Sequence, residues 1–210
     1  MRRSFRLPRV YPITDTQISG LSHAEQVALF ADGGATLVQL RDKRTSGLQF
    51  YEQAKAALAI ATERGVRLII NDRVDVALAL GGDVHLGQDD LPPEAARRLL
   101  GDDAVIGFST HNGEQAIEAA GSPIDYLAIG PIFATSTKAN PDPVVGLEGL
   151  RVVRAATGSL PLVAIGGVTP ANARDVIEAG ADSVAMISGL LSGPVNISSN
   201  VRDLLASLPA

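Results

Sequence analysis

The chain has no cysteine. Disulfides, thiolate nucleophiles and thiolate metal sites are therefore excluded together, and a reducing cytoplasm is the compatible setting. It has no tryptophan, and aromatic residues make up only 4%, too few for a platform on which bases stack. It has no excess of positive charge. Eighteen Lys and Arg stand against 23 Asp and Glu, a net charge of −5, where a nucleic-acid binder usually carries a basic face. No apolar run approaches a membrane span. Arg2, Arg3, Arg6 and Arg9 are not followed by an apolar segment, so they support no secretory or twin-arginine signal. They read as a short solvated arm, residues 1–8, before the first strand. The expected partners are small molecules, not nucleic acid or membrane, and a homo-oligomer stays open.

What is present is an ordinary globular composition, 46% hydrophobic over 210 residues, suited to one domain, 1–210, with a sizeable core. Val10–Asp15 reads as a strand. Ser22 with Glu25 forms a capping box ahead of Val27, Phe30 and Ala31 at helical spacing, and Gly33-Gly34 stops that helix. Val38–Lys43 alternates apolar and polar, so Gln39, Arg41 and Lys43 share one face of a second strand. A helix from Leu48 carries Tyr51, Ala54, Leu58 and Ala61 as its expected buried stripe. Leu68–Ile70, Val84–Gly87, Val105–Phe108, Tyr126–Gly130, Leu162–Ile165 and Val184–Ile187 read as further strands. Helices are expected between them, with Thr169-Pro170 opening one and Val201–Leu208 closing the chain.

Eight strands alternating with eight helices, at a spacing of about 25 residues, predict a (β/α)8 TIM barrel. An open doubly wound sheet is the alternative. In such a barrel the active site lies at the C-terminal ends of the strands, and polar or glycine residues gather there. Gln39, Arg41 and Lys43 then face the mouth. An arginine aimed into a closed barrel suits an anion better than it suits packing. Asp72 and Asp90 end neighbouring strands and either share a hard cation such as Mg²⁺ or act as loop and cap residues, as Asp89 beside them suggests. Gly166-Gly167 and Ile187-Ser188-Gly189 follow strands seven and eight, where barrels commonly hold a phosphate; a tight turn is the alternative. Thr135-Ser136-Thr137-Lys138 suits a phosphate or pyrophosphate, or is a polar surface loop. Among three histidines, His23 reads as solvated in a first helical turn, His85 as a hydrogen-bonded core residue, and His111 as either core or site. Ser109 lacks a GxSxG context and reads as a hydrogen-bond donor rather than a nucleophile.

Taken in order, Gln39-Leu40-Arg41-Asp42-Lys43, Asn71-Asp72, His85–Asp90, Ser109-Thr110-His111, Gly130–Phe133 with Thr135–Lys138, Ile165-Gly166-Gly167 and Ile187-Ser188 resemble the thiamine-phosphate synthase family over nearly the whole chain. The resemblance implies a transferase. It would join 4-amino-2-methyl-5-hydroxymethylpyrimidine diphosphate to a thiazole phosphate, giving thiamine phosphate and pyrophosphate by a Mg²⁺-assisted dissociative displacement. Gln39, Leu40, Arg41, Asp42, Lys43, Asn71, Ser109 and Lys138 would contact the pyrimidine diphosphate. Arg41, Lys43, Ser109 and Lys138 would serve the chemistry, and Asp72 and Asp90 would hold Mg²⁺. Thr135, Ser136, Thr137, Gly167, Ile187 and Ser188 would hold the thiazole phosphate. Ala134 stands where the family usually has proline. The rival readings are a thiazole tautomerase-like isomerase on the same fold, a sugar-phosphate epimerase barrel, and a non-catalytic phosphate-binding barrel.

Overall fold

The alternation of strand and helix folds as a parallel barrel. The computed structural model describes residues 5–135, 142–191 and 193–209. Eight strands, β1 (Val10–Pro12), β2 (Leu37–Leu40), β3 (Arg67–Asn71), β4 (Asp83–Leu86), β5 (Ile106–Thr110), β6 (Tyr126–Ile129), β7 (Leu162–Ile165) and β8 (Ser183–Met186), pair in the order β1-β8-β7-β6-β5-β4-β3-β2. The ends of that series meet. Ile13 bridges Gln39, and the Thr14 N–H donates to the Gln39 carbonyl at 2.9 Å. The helices are α1 (Thr16–Ser19), α2 (His23–Asp32), α3 (Gly47–Glu63), α4 (Val74–Leu80), α5 (Pro93–Leu100), α6 (Gly113–Ala119), α7 (Gly146–Thr157), α8 (Ala173–Glu178), α9 (Ser188–Leu191) and α10 (Ile197–Ser207). Among the described residues, no helix is long and apolar enough to cross a membrane.

Local chemistry sets most boundaries. Ser22 and Glu25 form the expected capping box at α2, and Ser46 with Gln49 forms a second at α3. Pro93 occupies the first turn of α5, where its missing N–H costs nothing. Several details differ from expectation. The buried stripe of α3 is Phe50, Ala54, Ala57 and Ala61; Tyr51 and Leu58 lie at its half-exposed margin. Thr169-Pro170 opens a turn rather than a helix, because Asn172 Oδ1 accepts the Thr169 N–H at 2.8 Å and α8 begins after it. Beyond β8 the chain enters α9 at once. The final helix α10 starts at Ile197, ahead of the expected Val201.

Each strand's side chains divide between two cores, as the period of two requires. Val38, Leu40, Ile70, Leu86 and Leu127 face the helices. Tyr11, Ile13, Leu37, Ile69, Tyr126 and Val163 fill the barrel. The N-terminal arm is not wholly solvated. Phe5 and Leu7 pack on the interior cluster and close the floor, with the Phe5 ring 5.7 Å from that of Tyr126 and the Arg67 guanidinium 5.7 Å from the Phe5 ring centroid. The Tyr126 ring crosses toward β5 at Gly107. A Cβ there would lie 2.0 Å from Tyr126 Cζ, so only glycine admits the ring.

Two arginine clamps hold the end of the barrel opposite the strand tips. Arg97 of α5 donates to Asp125, which precedes β6, at 2.7 Å, and to the carbonyls of Gly101, Ala104 and Pro123. Arg154 of α7 donates to Asp182, which precedes β8, at 2.7 Å, and to the carbonyls of Gly158, Leu160 and Gly180. Each aspartate also accepts the N–H of a residue on the preceding strand, Ile106 or Leu162, at 2.8 Å. Both Arg–Asp pairs are separated by 28 residues.

Gly107→Ala tests the interior packing. We expect a loss of about 1–3 kcal/mol in urea denaturation, the range for overpacking a well-filled core. Unchanged stability would mean that the Tyr126 ring does not lie against β5.

Candidate active site

The strand tips bring the expected residues to one end of the barrel. Gln39 is the last inward-facing residue of β2. It is buried, and its Nε2 donates to the Tyr11 hydroxyl at 3.1 Å. The alternation stops there, because β2 ends at Leu40. Arg41 and Lys43 therefore lie on a turn, not on the continuing face of a strand. Leu40 points into the helical layer, so only its backbone is available to a ligand in the mouth. Asp42 makes an Asx turn, its Oδ1 accepting the N–H groups of Arg44 at 2.8 Å and Thr45 at 3.3 Å. Its carboxylate is thereby committed to holding the turn. Arg41 makes no ion pair among the described residues, and its N–H donates to Thr14 Oγ1 at 3.2 Å.

His23 holds this turn from behind. It is fully buried rather than solvated, with Nδ1 2.7 Å from Thr14 Oγ1 and Nε2 3.7 Å from Asp42 Oδ2. Thr14 Oγ1 thus bridges the Arg41 N–H and the imidazole. Burial, outweighing the nearby Asp42, lowers the His23 pKa, which favours the neutral ring.

Asp72 and Asp90 approach one another at the tips of β3 and β4. Asp72 has a positive φ of 64°, an uncommon conformation for a residue with a Cβ, and its N–H donates to the His85 carbonyl at 2.8 Å. Burial first, and then the Asp90 carboxyl beside it, raise the Asp72 pKa. Asp90 Oδ2 accepts the Gly87 N–H at 2.6 Å. The Lys43 ammonium sits 3.3 Å from Asp72 Oδ2, so a cation already occupies part of this acidic corner. Among the described residues, no group of three or more His, Asp or Glu side chains converges on a point. The donor set is thus two carboxylates, which fits a hard cation that completes its shell with water and phosphate oxygens.

Asn71 supplies a further polar group. It is buried, faces inward at the tip of β3, and its Nδ2 has no hydrogen-bond partner. An unpaired buried amide is costly, and a ligand in the mouth would relieve it. Ser109 on β5 is half-buried, its Oγ 2.8 Å from His85 Nε2. His85 Nδ1 in turn lies 2.9 Å from the Tyr126 hydroxyl, and that hydroxyl lies 2.9 Å from the Tyr11 hydroxyl. His85 is the hydrogen-bonded core residue expected of it. Burial drives its pKa down to about 4, and burial likewise raises both tyrosines. At neutral pH all three are neutral.

The phosphate candidates lie across the mouth. Gly166 and Gly167 both have positive φ, 91° and 66°. A Cβ on Gly166 would meet Pro131 Cα at 2.6 Å, and one on Gly167 would meet the Ala134 carbonyl oxygen at 2.6 Å. Packing against the segment after β6 therefore already requires both glycines, whatever they bind. Ile187 is half-buried, Ser188 is exposed at the start of α9, and Thr135 is half-buried. Ser136, Thr137 and Lys138 lie outside the described residues. His111 belongs to the rim, its Nδ1 donating to the Gly130 carbonyl at 2.9 Å. Sequence reasoning passed over Tyr11, Tyr126 and Thr14. The available signal was that both tyrosines sit on inward positions of their strands, where a hydroxyl must find a partner.

A family model described as thiamine monophosphate synthase matches residues 10–190. A thiamine-phosphate synthase of Koribacter versatilis is 48% identical, covering 99% of this chain and 100% of its own. One from Chloroflexus aurantiacus is 45% identical, covering 94% and 91%. The solved structure of a thiamine phosphate pyrophosphorylase from Pyrococcus furiosus superposes with a TM-score of 0.84 at 33% identity, covering 96% of this chain and 97% of that one.

Buried neutral histidine predicts acid sensitivity. The unfolded chain protonates His85 near its ordinary value of 6.5, while the folded chain resists until about 4. The unfolded state therefore binds more protons across that window, and stability falls as pH falls through it. Replacing His85 by Gln should flatten the dependence by on the order of 2–3 kcal/mol between neutrality and pH ~4.5, read from urea denaturation at several pH values. Parallel curves for the two proteins would contradict the assignment.

Proposed function

Because the chain belongs to the thiamine monophosphate synthase family and is a transferase of thiamine biosynthesis, we propose that it condenses 4-amino-2-methyl-5-hydroxymethylpyrimidine diphosphate with a thiazole phosphate. The carbon–oxygen bond between the pyrimidine methylene and the diphosphate breaks, and pyrophosphate leaves with the electron pair. The thiazole nitrogen then forms the new carbon–nitrogen bond, giving thiamine phosphate. The whole chain works as one barrel domain, in the cytoplasm.

One observation carries this reading: two carboxylates from neighbouring strand tips, Asp72 and Asp90, share a corner with the Lys43 ammonium. That is the charge pattern a diphosphate and a divalent cation require. Asp72 and Asp90 would hold Mg²⁺, which when bound neutralises the departing diphosphate. Lys43 is 58% exposed and free to swing from Asp72 to the diphosphate. Arg41 and Lys138 would add positive charge against the diphosphate, acting through electrostatics and position rather than through a nucleophile. Gln39, Asn71 and Ser109 would hold the pyrimidine, and Leu40 and Asp42 would contribute only backbone groups. Thr135, Ser136, Thr137, Gly167, Ile187 and Ser188 would hold the thiazole phosphate.

The test is formation of thiamine phosphate by the purified chain from both substrates, with and without Mg²⁺. Product that depends on Mg²⁺ is expected; full activity in a chelator would overturn the metal role, and no product at any Mg²⁺ concentration would overturn the synthase. Asp72→Asn should lower turnover by about 100-fold or more and raise the Mg²⁺ concentration needed for half-maximal rate. It should leave urea stability intact, because it removes a carboxylate that burial and Asp90 both disfavour.

A further inference from the structure

Gln39, Tyr11, Tyr126, His85 and Ser109 come from five different strands and make one unbroken hydrogen-bonded line through the barrel, with steps of 3.1, 2.9, 2.9 and 2.8 Å. The line has a direction. A hydroxyl has one proton to give, and a neutral imidazole has one N–H. At the Gln39 end the amide nitrogen can only donate, so Tyr11 accepts there. Tyr11 then gives its proton to Tyr126, and Tyr126 gives its own to His85 Nδ1. The imidazole proton is left on Nε2 and goes to Ser109 Oγ. Ser109 has received, and its own proton is left to point away from the line.

We propose that Tyr11, Tyr126 and His85 are positioning residues that fix the Ser109 hydroxyl as a hydrogen-bond donor at the barrel mouth, so that this position selects an acceptor ring nitrogen of the pyrimidine and disfavours an N–H. The inference rests on the reading of Ser109 as a pyrimidine contact and deepens it. With the Gln39 amide turned over, every bond would reverse. Ser109 would then give its proton to His85 and offer the ligand lone pairs alone.

Several features hold the line in place. Its three central members are buried, so water does not compete along it. The His85 ring stacks on Tyr126 at 5.5 Å with 26° between planes, and the Tyr11 ring meets Tyr126 edge-on at 5.9 Å. Gly107 keeps open the space the Tyr126 ring needs. A purely structural role would require only that each buried polar group be satisfied, in either direction.

Nitrogen-15 NMR of histidine-labelled protein reads the direction without substrate, with His85→Gln assigning the signal. The proton is expected on Nε2 of His85, and Nδ1 unprotonated. A proton on Nδ1 would overturn the proposal. Tyr126→Phe keeps the ring and removes the central link. It should raise the KM for the pyrimidine diphosphate about tenfold, the worth of one oriented hydrogen bond, and leave the KM for the thiazole phosphate unchanged. Combined with Ser109→Ala it should do no further harm, because the line acts only through that hydroxyl. Additive losses, or equal losses for both substrates, would overturn it. If the wild type forms no product the synthase reading fails, while the tautomer still decides the direction of the line.

Discussion

A closed parallel barrel isolates half of every strand. Side chains that point inward reach neither the helices nor bulk water along the strand's length, and any polar atom among them must be satisfied by another inward-facing group or by a ligand at the mouth. Most of the interior of this chain follows that constraint. Phe5 and Leu7 close the lower end with apolar surface. Above them Tyr11, Tyr126, His85 and Gln39 answer one another's hydrogen bonds. Among the described residues, Ser183 Oγ on β8 and, at the rim, the Asn71 amide stay unanswered. The Asn71 amide is the one of these that lies where a ligand can reach it.

The same division explains the charges. Carboxylates held close together at the tips of β3 and β4 are unfavourable in isolation, as the raised pKa of Asp72 registers. The fold tolerates them because Lys43 lies within 3.3 Å and because the rim is open to ions. The turn that delivers Lys43 is itself firmly built: Asp42 closes it, and buried His23 and Thr14 hold it from beneath. Mobility of the lysine head is thus combined with a fixed backbone.

Much of this was legible beforehand. Capping boxes, strand alternation and glycine stops locate the barrel, because each is a local signal. Gln39, Asp72 and Asp90 were recognisable as mouth residues from their place at strand tips. What escaped depended on contacts between distant segments. Arg41 and Lys43 continue the alternation in sequence, yet Ile13 and Thr14 bind β2 only as far as Gln39, and the strand ends one residue later. His23 looks solvated in a first helical turn because nothing nearby reveals Thr14 and Asp42 above it. The two tyrosines, 115 residues apart, meet only once the barrel closes. The glycines after β7 illustrate a different limit, since packing on the segment after β6 and close approach to a phosphate ask for the same residue.

The paired clamps at the far end have a bearing on modularity. Arg97 with Asp125 and Arg154 with Asp182 perform the same task, at the same separation of 28 residues, two strands further along the barrel. Each ties a helix's end to the turns entering two adjacent strands. The bonding scheme of one clamp is closely repeated in the other. Such a fastening governs how one two-strand unit seats against the next. The β5–β6 and β7–β8 quarters are then natural units for transplantation, each bringing its own fastening and leaving its upper loops free to diverge.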